Sequence, residues 1–157
     1  MTVARLIGTT LYWLAWPAYQ VYFRFGDRTR VVIVQQGKIL AMQQWIGTGR
    51  WSLPGGGLHR HEEPLIGALR EVREETGLQL VPGQLQYLGR HAYRQHGHHF
   101  YFHAYVCELN DLPELHRQWY EVAALTWLPP ASFTRADAAQ DAVMCVQLAA
   151  THIRLVQ

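Results

Sequence analysis

The stretch GGLHRHEEPLIGALREVREETGL, residues 56–78, decides how this chain is read. Glu71, Glu74 and Glu75 stand at i, i+3 and i+4, so on a helix all three project from one face. At about 100° per residue they span an arc of roughly 100°. Leu65, Leu69 and Val72 lie on a second arc, centred about 120° away, and form an apolar stripe suited to docking on a core. Three like charges on one face repel one another, which a purely structural helix would avoid. A positive charge is wanted there, and a divalent cation is the simplest candidate. The plain alternative is a solvated acidic face paired with Arg70 and Arg73.

Local chemistry sets the ends of that helix. Pro64 suits the first turn, where its missing N–H costs nothing. Gly77 suits the position just past the last turn. The pattern therefore predicts a helix over Glu63 to Thr76. Upstream, Pro54 is followed by Gly55, Gly56 and Gly57, which let backbone approach a metal or a phosphate without interference from a Cβ. Carboxylate oxygens are the ligands of hard cations, and Mg²⁺ combines few protein carboxylates with waters and substrate phosphates. Such a site suits chemistry on a phosphate ester or anhydride.

With these residues in place, the segment resembles the Nudix box: glycine, five residues, glutamate, seven residues, then Arg-Glu-apolar-x-Glu-Glu-x-Gly-apolar. Gly56, Glu62, Arg70, Glu71, Val72, Glu74, Glu75, Gly77 and Leu78 fill every fixed position. The resemblance covers 23 residues, so it speaks to reaction chemistry far more than to substrate. It implies Glu74 and Glu75 as principal metal ligands, with Glu71 as a further ligand or as the base for the attacking water. These three are the candidate catalytic residues. It also implies the Gly55 carbonyl as a backbone ligand. Arg70 and Glu62 are expected to pair and hold the loop, with Gly56, against the helix. Glu121, six residues before Trp127, stands where some relatives place an additional metal-binding glutamate. Mg²⁺ or Mn²⁺ is the expected cofactor.

At 157 residues the chain is long enough for one domain with a sizeable core. Its 49% apolar and 17% charged residues describe a globular protein, and a net charge of +2 makes no independent case for long nucleic acid. Cys107 and Cys145 have no metal-ligand spacing and sit among apolar residues, which reads as buried thiols in a reducing, cytoplasmic compartment. From Leu6 to Phe23 run 18 residues without a charge, bracketed by Arg5 and Arg24. Pro17 should kink this segment, and Gly8, Thr9, Thr10 and Gln20 dilute it. Residues 1–25 are expected to form an apolar N-terminal helix that packs on the domain, pairs in a homodimer, lies in a membrane interface or spans it.

Residues 26–157 form the expected Nudix domain. Thr29–Gln35 is β-branched, Gln36-Gly37 turns the chain, and Lys38–Gln44 alternates as its partner. Leu85–Tyr93 and Phe100–Leu109 read as an antiparallel pair joined by a polar, histidine-rich turn, and Val122–Leu128 as a last strand. Ala136 to Ile153 has helical spacing, with Ala139, Val143, Val146, Leu148 and Ala150 available for a buried side. The outcome is a mixed sheet with helices on both faces, an α/β class agreeing with the α/β/α sandwich that the resemblance implies.

His91, His96, His98, His99 and His103 show no zinc-ligand spacing. His98 is retained as a candidate for contact with substrate phosphate. Trp51, Tyr93 and other aromatics could stack a nucleobase. The expected activity is metal-dependent hydrolysis of a diphosphate linkage in a nucleoside diphosphate joined to another moiety, a small-molecule nucleotide-type substrate. Two other readings stay open: a nucleotide-binding or regulatory module without turnover, and a membrane-tethered enzyme acting on a lipid-linked diphosphate.

Overall fold

The strand β1, Arg28–Gln35, is buried from Thr29 to its end. A strand covered on both faces reads as an unbroken apolar run, which is why VVIV appears without alternation. The structure is a computed structural model that describes residues 26–46, 48–95 and 98–152, with only the backbone at 95 and 98. The N-terminal helix expected over residues 1–25, with its dimer and membrane readings, lies outside the described residues. Among those described, no helix is long and apolar enough to cross a membrane.

β1 turns through Gln36 and Gly37, both at positive φ, into β2, Lys38–Gln44. After the glycine loop comes α1, Pro64–Thr76, then β3, Gln86–Gln95, β4, His98–Leu109, β5, Val122–Leu128, and α2, Gln140–Ala149. The five strands form one mixed sheet in the order β3-β4-β1-β2-β5. β1 and β4 run parallel from Arg28 opposite Phe102 to Gln35 opposite Leu109, and the other pairs are antiparallel.

Among the described residues, each face of the sheet carries one helix. Val31, Ile33, Leu40, Tyr105 and Cys107 meet Ala68 and Val72 of α1, with Leu78 beyond its end. On the other side Val32, Val34, Ile39, Phe102 and Val106 meet Ala142, Val143, Cys145, Val146 and Ala149 of α2. Both cysteines are free and buried, and burial pushes their thiols up, Cys107 to about 12.

Several boundaries differ from the sequence reading. α1 begins at Pro64, with Glu63 extended at the cap position, and ends on Gly77 in the left-handed region at φ 77°. Its buried line is Ala68, Val72 and Glu75, whereas Leu65 and Leu69 are only half-buried. Small Ala68 lets the helix sit close to the sheet, and this rotation carries one acid into the interior. β3 and β4 extend further than expected, through Gln95 and from His98, so His98 and His99 are strand residues paired with Gln95 and Arg94. Antiparallel pairing carries the hairpin through polar residues that looked like a turn. The last helix is shorter than expected, which leaves Ala150 exposed past its end.

Candidate active site

The glycine loop lies along the start of β1. Thr29 N–H donates to the Gly56 carbonyl at 2.8 Å and Val31 N–H to the Pro54 carbonyl at 2.9 Å. Gly55 has φ 132°, and a Cβ there would stand 2.3 Å from the Thr29 carbonyl oxygen. Only glycine fits that conformation and that approach. A Cβ on Gly56 would lie 2.6 Å from the carboxylate of Glu71. The first glycine of the box therefore makes room for one of its acids.

Arg70 ties the loop to α1. Its Nε and Nη2 donate to the two carboxylate oxygens of Glu62 at 2.8 and 2.9 Å. Nη2 also donates to the Gly57 carbonyl at 3.1 Å. Nη1 reaches Glu71 at 2.8 Å and Glu74 at 3.3 Å. Glu62 accepts the His59 N–H as well, and these donors, Arg70 foremost, hold its carboxyl down at about 2. The same acids hold the Arg70 guanidinium above its ordinary range.

Glu75 is only 2% exposed, and its Oε2 accepts the Gly55 N–H at 2.8 Å. Burial pushes this carboxyl up to about 8; Glu71 and Glu121 push the same way, against the Gly55 N–H and Arg30. Glu121 lies across the cleft just before β5, held by Trp45 N–H donating to its carbonyl at 3.0 Å. Its side chain keeps solvent-accessible surface, yet desolvation by the surrounding protein, then Glu71 and Glu74, raise its pKa. Among the described residues, no three His, Cys, Asp or Glu side chains already form a metal cage. Arg70 occupies one oxygen each of Glu71 and Glu74.

Behind the loop is a buried ion pair. Arg30 Nε donates to Asp141 at 2.7 Å, and its Nη1 donates to the carbonyls of Thr29 at 2.9 Å and Gly55 at 2.7 Å. The Gly55 carbonyl, the expected backbone ligand, is thus steadied by a cation. Asp141 also accepts the N–H of Ala142 in the first turn of α2, where a negative charge is favoured.

These groups border one cleft of about 640 Å³. Glu71, Glu74, Glu75, Glu121 and the three glycines line it together. One wall is aromatic and cationic: Tyr93 stacks on Phe100 with ring centroids 4.6 Å apart, and the Arg28 guanidinium sits 5.2 Å from the Phe100 centroid. The other carries Trp45, Ile46 and Tyr120. Tyr93 is thus at the cleft. Trp51 is not among the lining residues; it packs against the α2-side core and exchanges backbone hydrogen bonds with Asp137 and Ala139. The backbone of His98 lies at the start of β4, and its side chain is outside what the structure describes.

Sequence reasoning passed over Arg28, Arg30 and Asp141 as cleft residues, whereas Trp45 stood among the aromatics expected to stack a ring. The available signal was charge inside a β-branched strand: Arg30 interrupts TRVVIVQ, and a buried charge needs a partner. Asp141 carried no such sign, because an acid in a helix first turn is ordinary.

The family model described as the NUDIX domain matches residues 24–147. A MutT-like protein of Streptomyces ambofaciens is 42% identical over 55 residues, 35% of this chain and 35% of that protein. The CTP pyrophosphohydrolase of Escherichia coli (strain K12) is 31% identical over 104 residues, 63% of this chain and 72% of that protein. The NUDIX domain of Shewanella oneidensis NrtR, solved with ADP ribose, superposes with a TM-score of 0.67 at 19% identity, covering 80% of this chain and 86% of that one. The chain spans less than half the length of the first four curated relatives, between 23% and 40% in each. A complete box in sequence, its loop and helix in space, and a family match across most of the described residues agree: the chain belongs to the Nudix hydrolase family.

Proposed function

We propose that this chain hydrolyses the diphosphate linkage of a nucleoside diphosphate joined to another moiety, using Mg²⁺ or Mn²⁺. The observation that carries the reading is the convergence of Glu71, Glu74, Glu75 and Glu121 on one cleft, beside a glycine loop and between aromatic walls. The donor set fits a hard cation. Glu75 is a buried carboxylate pushed toward its neutral form by burial and two other acids, which the Gly55 N–H and Arg30 offset only in part. Glu74 and Glu75 would hold the ion, with Glu71, Glu121 and the Gly55 carbonyl as further oxygen ligands. When bound, such an ion supplies neutralisation of diphosphate charge and a lowered pKa for water.

The chain's own groups do the rest. Arg70 and Glu62 keep the loop and helix in register, so the carboxylates stay where the substrate arrives. Tyr93, Phe100, Trp45 and Tyr120 offer faces for a base or another ring. Water oxygen bonds to one phosphorus as the bridging P–O bond breaks, and the water's proton passes to Glu71 or to Glu121 across the cleft. Substitution of each by glutamine separates these two bases: the true base loses turnover while nucleotide affinity is kept.

The deciding experiment is a panel of ADP-ribose, sugar nucleotides, dinucleoside polyphosphates, nucleoside triphosphates and capped RNA, with Mg²⁺ and with Mn²⁺. At least one diphosphate linkage should be cleaved by the full chain, and Glu74→Gln and Glu75→Gln should abolish that cleavage. Undiminished turnover in both variants at saturating metal would sink the assignment. E. coli CTP pyrophosphohydrolase and ADP ribose on the Shewanella domain support including both substrate types.

A further inference from the structure

We propose that Arg30 is a phosphate-contacting residue of this cleft and that Asp141 is its positioning residue. The proposal rests on the diphosphate reading of the same cleft and adds a group that lies outside the 23-residue box. A guanidinium has five N–H donors. Nε spends one on Asp141, and Nη1 spends two on the carbonyls of Thr29 and Gly55. The two donors of Nη2 have no partner among the described residues. Arg30 is 7% exposed, and it lines the cleft together with Gly55, Glu75 and Asp141. Nη2 keeps some accessible surface, and Arg30 as a residue borders the cleft.

An unspent cationic donor on a side chain otherwise buried calls for an oxyanion. Here it stands at the root of the glycine loop, joined to α2 through Asp141 and to the Glu75 side through Gly55. The phosphoryl group held there would sit between the cation of β1 and the carboxylates of α1. Asp141 aims the fork: one oxygen takes Arg30 Nε, and the other takes the Ala142 N–H, which locks that carboxylate to the start of α2. With Nε and Nη1 both committed, Nη2 has one orientation left.

Calorimetric binding of imidodiphosphate, whose bridging nitrogen resists hydrolysis, tests this in the full chain with Mg²⁺. R30Q/D141N removes both charges together and leaves no lone buried ion, so the fold should survive. Its affinity should fall about tenfold or more, because a hydrogen bond to a charged group is lost. R30K keeps the charge without the fork and should lose several-fold. D141N should also weaken binding several-fold; a lower melting temperature with unchanged affinity would mean a merely structural pair and overturn the assignment. If R30Q/D141N does not fold, R30K decides, and wild-type affinity in R30K overturns the proposal. A wild-type chain that does not bind imidodiphosphate overturns it too. If the wild-type chain binds through Arg30 yet cleaves nothing in the panel, the hydrolase reading fails and the arginine assignment stands.

Discussion

Arg70 and Glu62, eight residues apart, face each other as a fork, Nε to Oε1 at 2.8 Å and Nη2 to Oε2 at 2.9 Å. One residue is on α1 and the other in the loop before it, so the pair fastens the loop that carries the glycines to the helix that carries the acids. Such bidentate contacts combine energy with orientation. Glu62→Gln should cost about 1 to 3 kcal/mol at neutral pH and lower turnover by loosening the loop. The sign of its pH dependence follows from a folded pKa of about 2 against an ordinary 4.5. The stabilisation is fully present above about pH 4.5 and is lost as pH falls through 2. Urea unfolding between pH 2 and 7 should show this slope in the wild type and a weaker one in Glu62→Gln.

Glu75 predicts the opposite pH behaviour. Without divalent metal its folded pKa of about 8 exceeds the ordinary 4.5, so the native state binds the extra proton. Stability should therefore fall as pH rises from 4.5 toward 8. Glu75→Gln keeps an acceptor for the Gly55 N–H and cannot ionise, so at pH 8 without metal it should melt higher than the wild type. Added Mg²⁺ or Mn²⁺ should raise the wild-type melting temperature with the logarithm of concentration and move Glu75→Gln much less. Equal metal responses in the two proteins, read by scanning calorimetry, would remove Glu75 from the ligand set.

The glycines should separate by what a methyl group meets. Gly56→Ala drives a Cβ toward the Glu71 carboxylate, a side chain that can shift, so the fold should survive while kcat drops about tenfold or more. Gly55→Ala meets backbone at 2.3 Å with φ 132° and should cost several kcal/mol, about 3 or more. Gly83→Ala, with nothing within 4 Å, should be neutral or slightly stabilising. Circular dichroism melts beside an activity assay sort the three.

Tyr120 is 63% exposed at the rim, so its truncation should leave stability nearly unchanged. If its ring stacks the base, Tyr120→Ala should raise KM about tenfold with kcat kept, consistent with about 1 to 3 kcal/mol per stacked base. Phe100→Ala, only 8% exposed, should weaken both stability and KM. Steady-state kinetics on the best substrate of the panel reads both.

Much of this was legible in one dimension because the relevant contacts are local. Spacing of i, i+3 and i+4 places Glu71, Glu74 and Glu75 on one side of a helix wherever that helix docks, and Pro64 and Gly77 end it by backbone chemistry alone. β2 and β5 match their expected bounds, since alternation and β-branching are properties of consecutive residues. What tertiary structure decided was depth and company. Ala68 and Val72 dock on the sheet and carry Glu75 inward, which turns one of three equivalent acids into a buried carboxyl with a raised pKa. Arg30 meets Asp141 across 111 positions of chain, Trp51 joins the core while Trp45 and Tyr120 border the cleft, and His98 extends a strand. Electrostatic and packing energies depend on distance through space, and for pairs so far apart in sequence only the folded chain sets that distance.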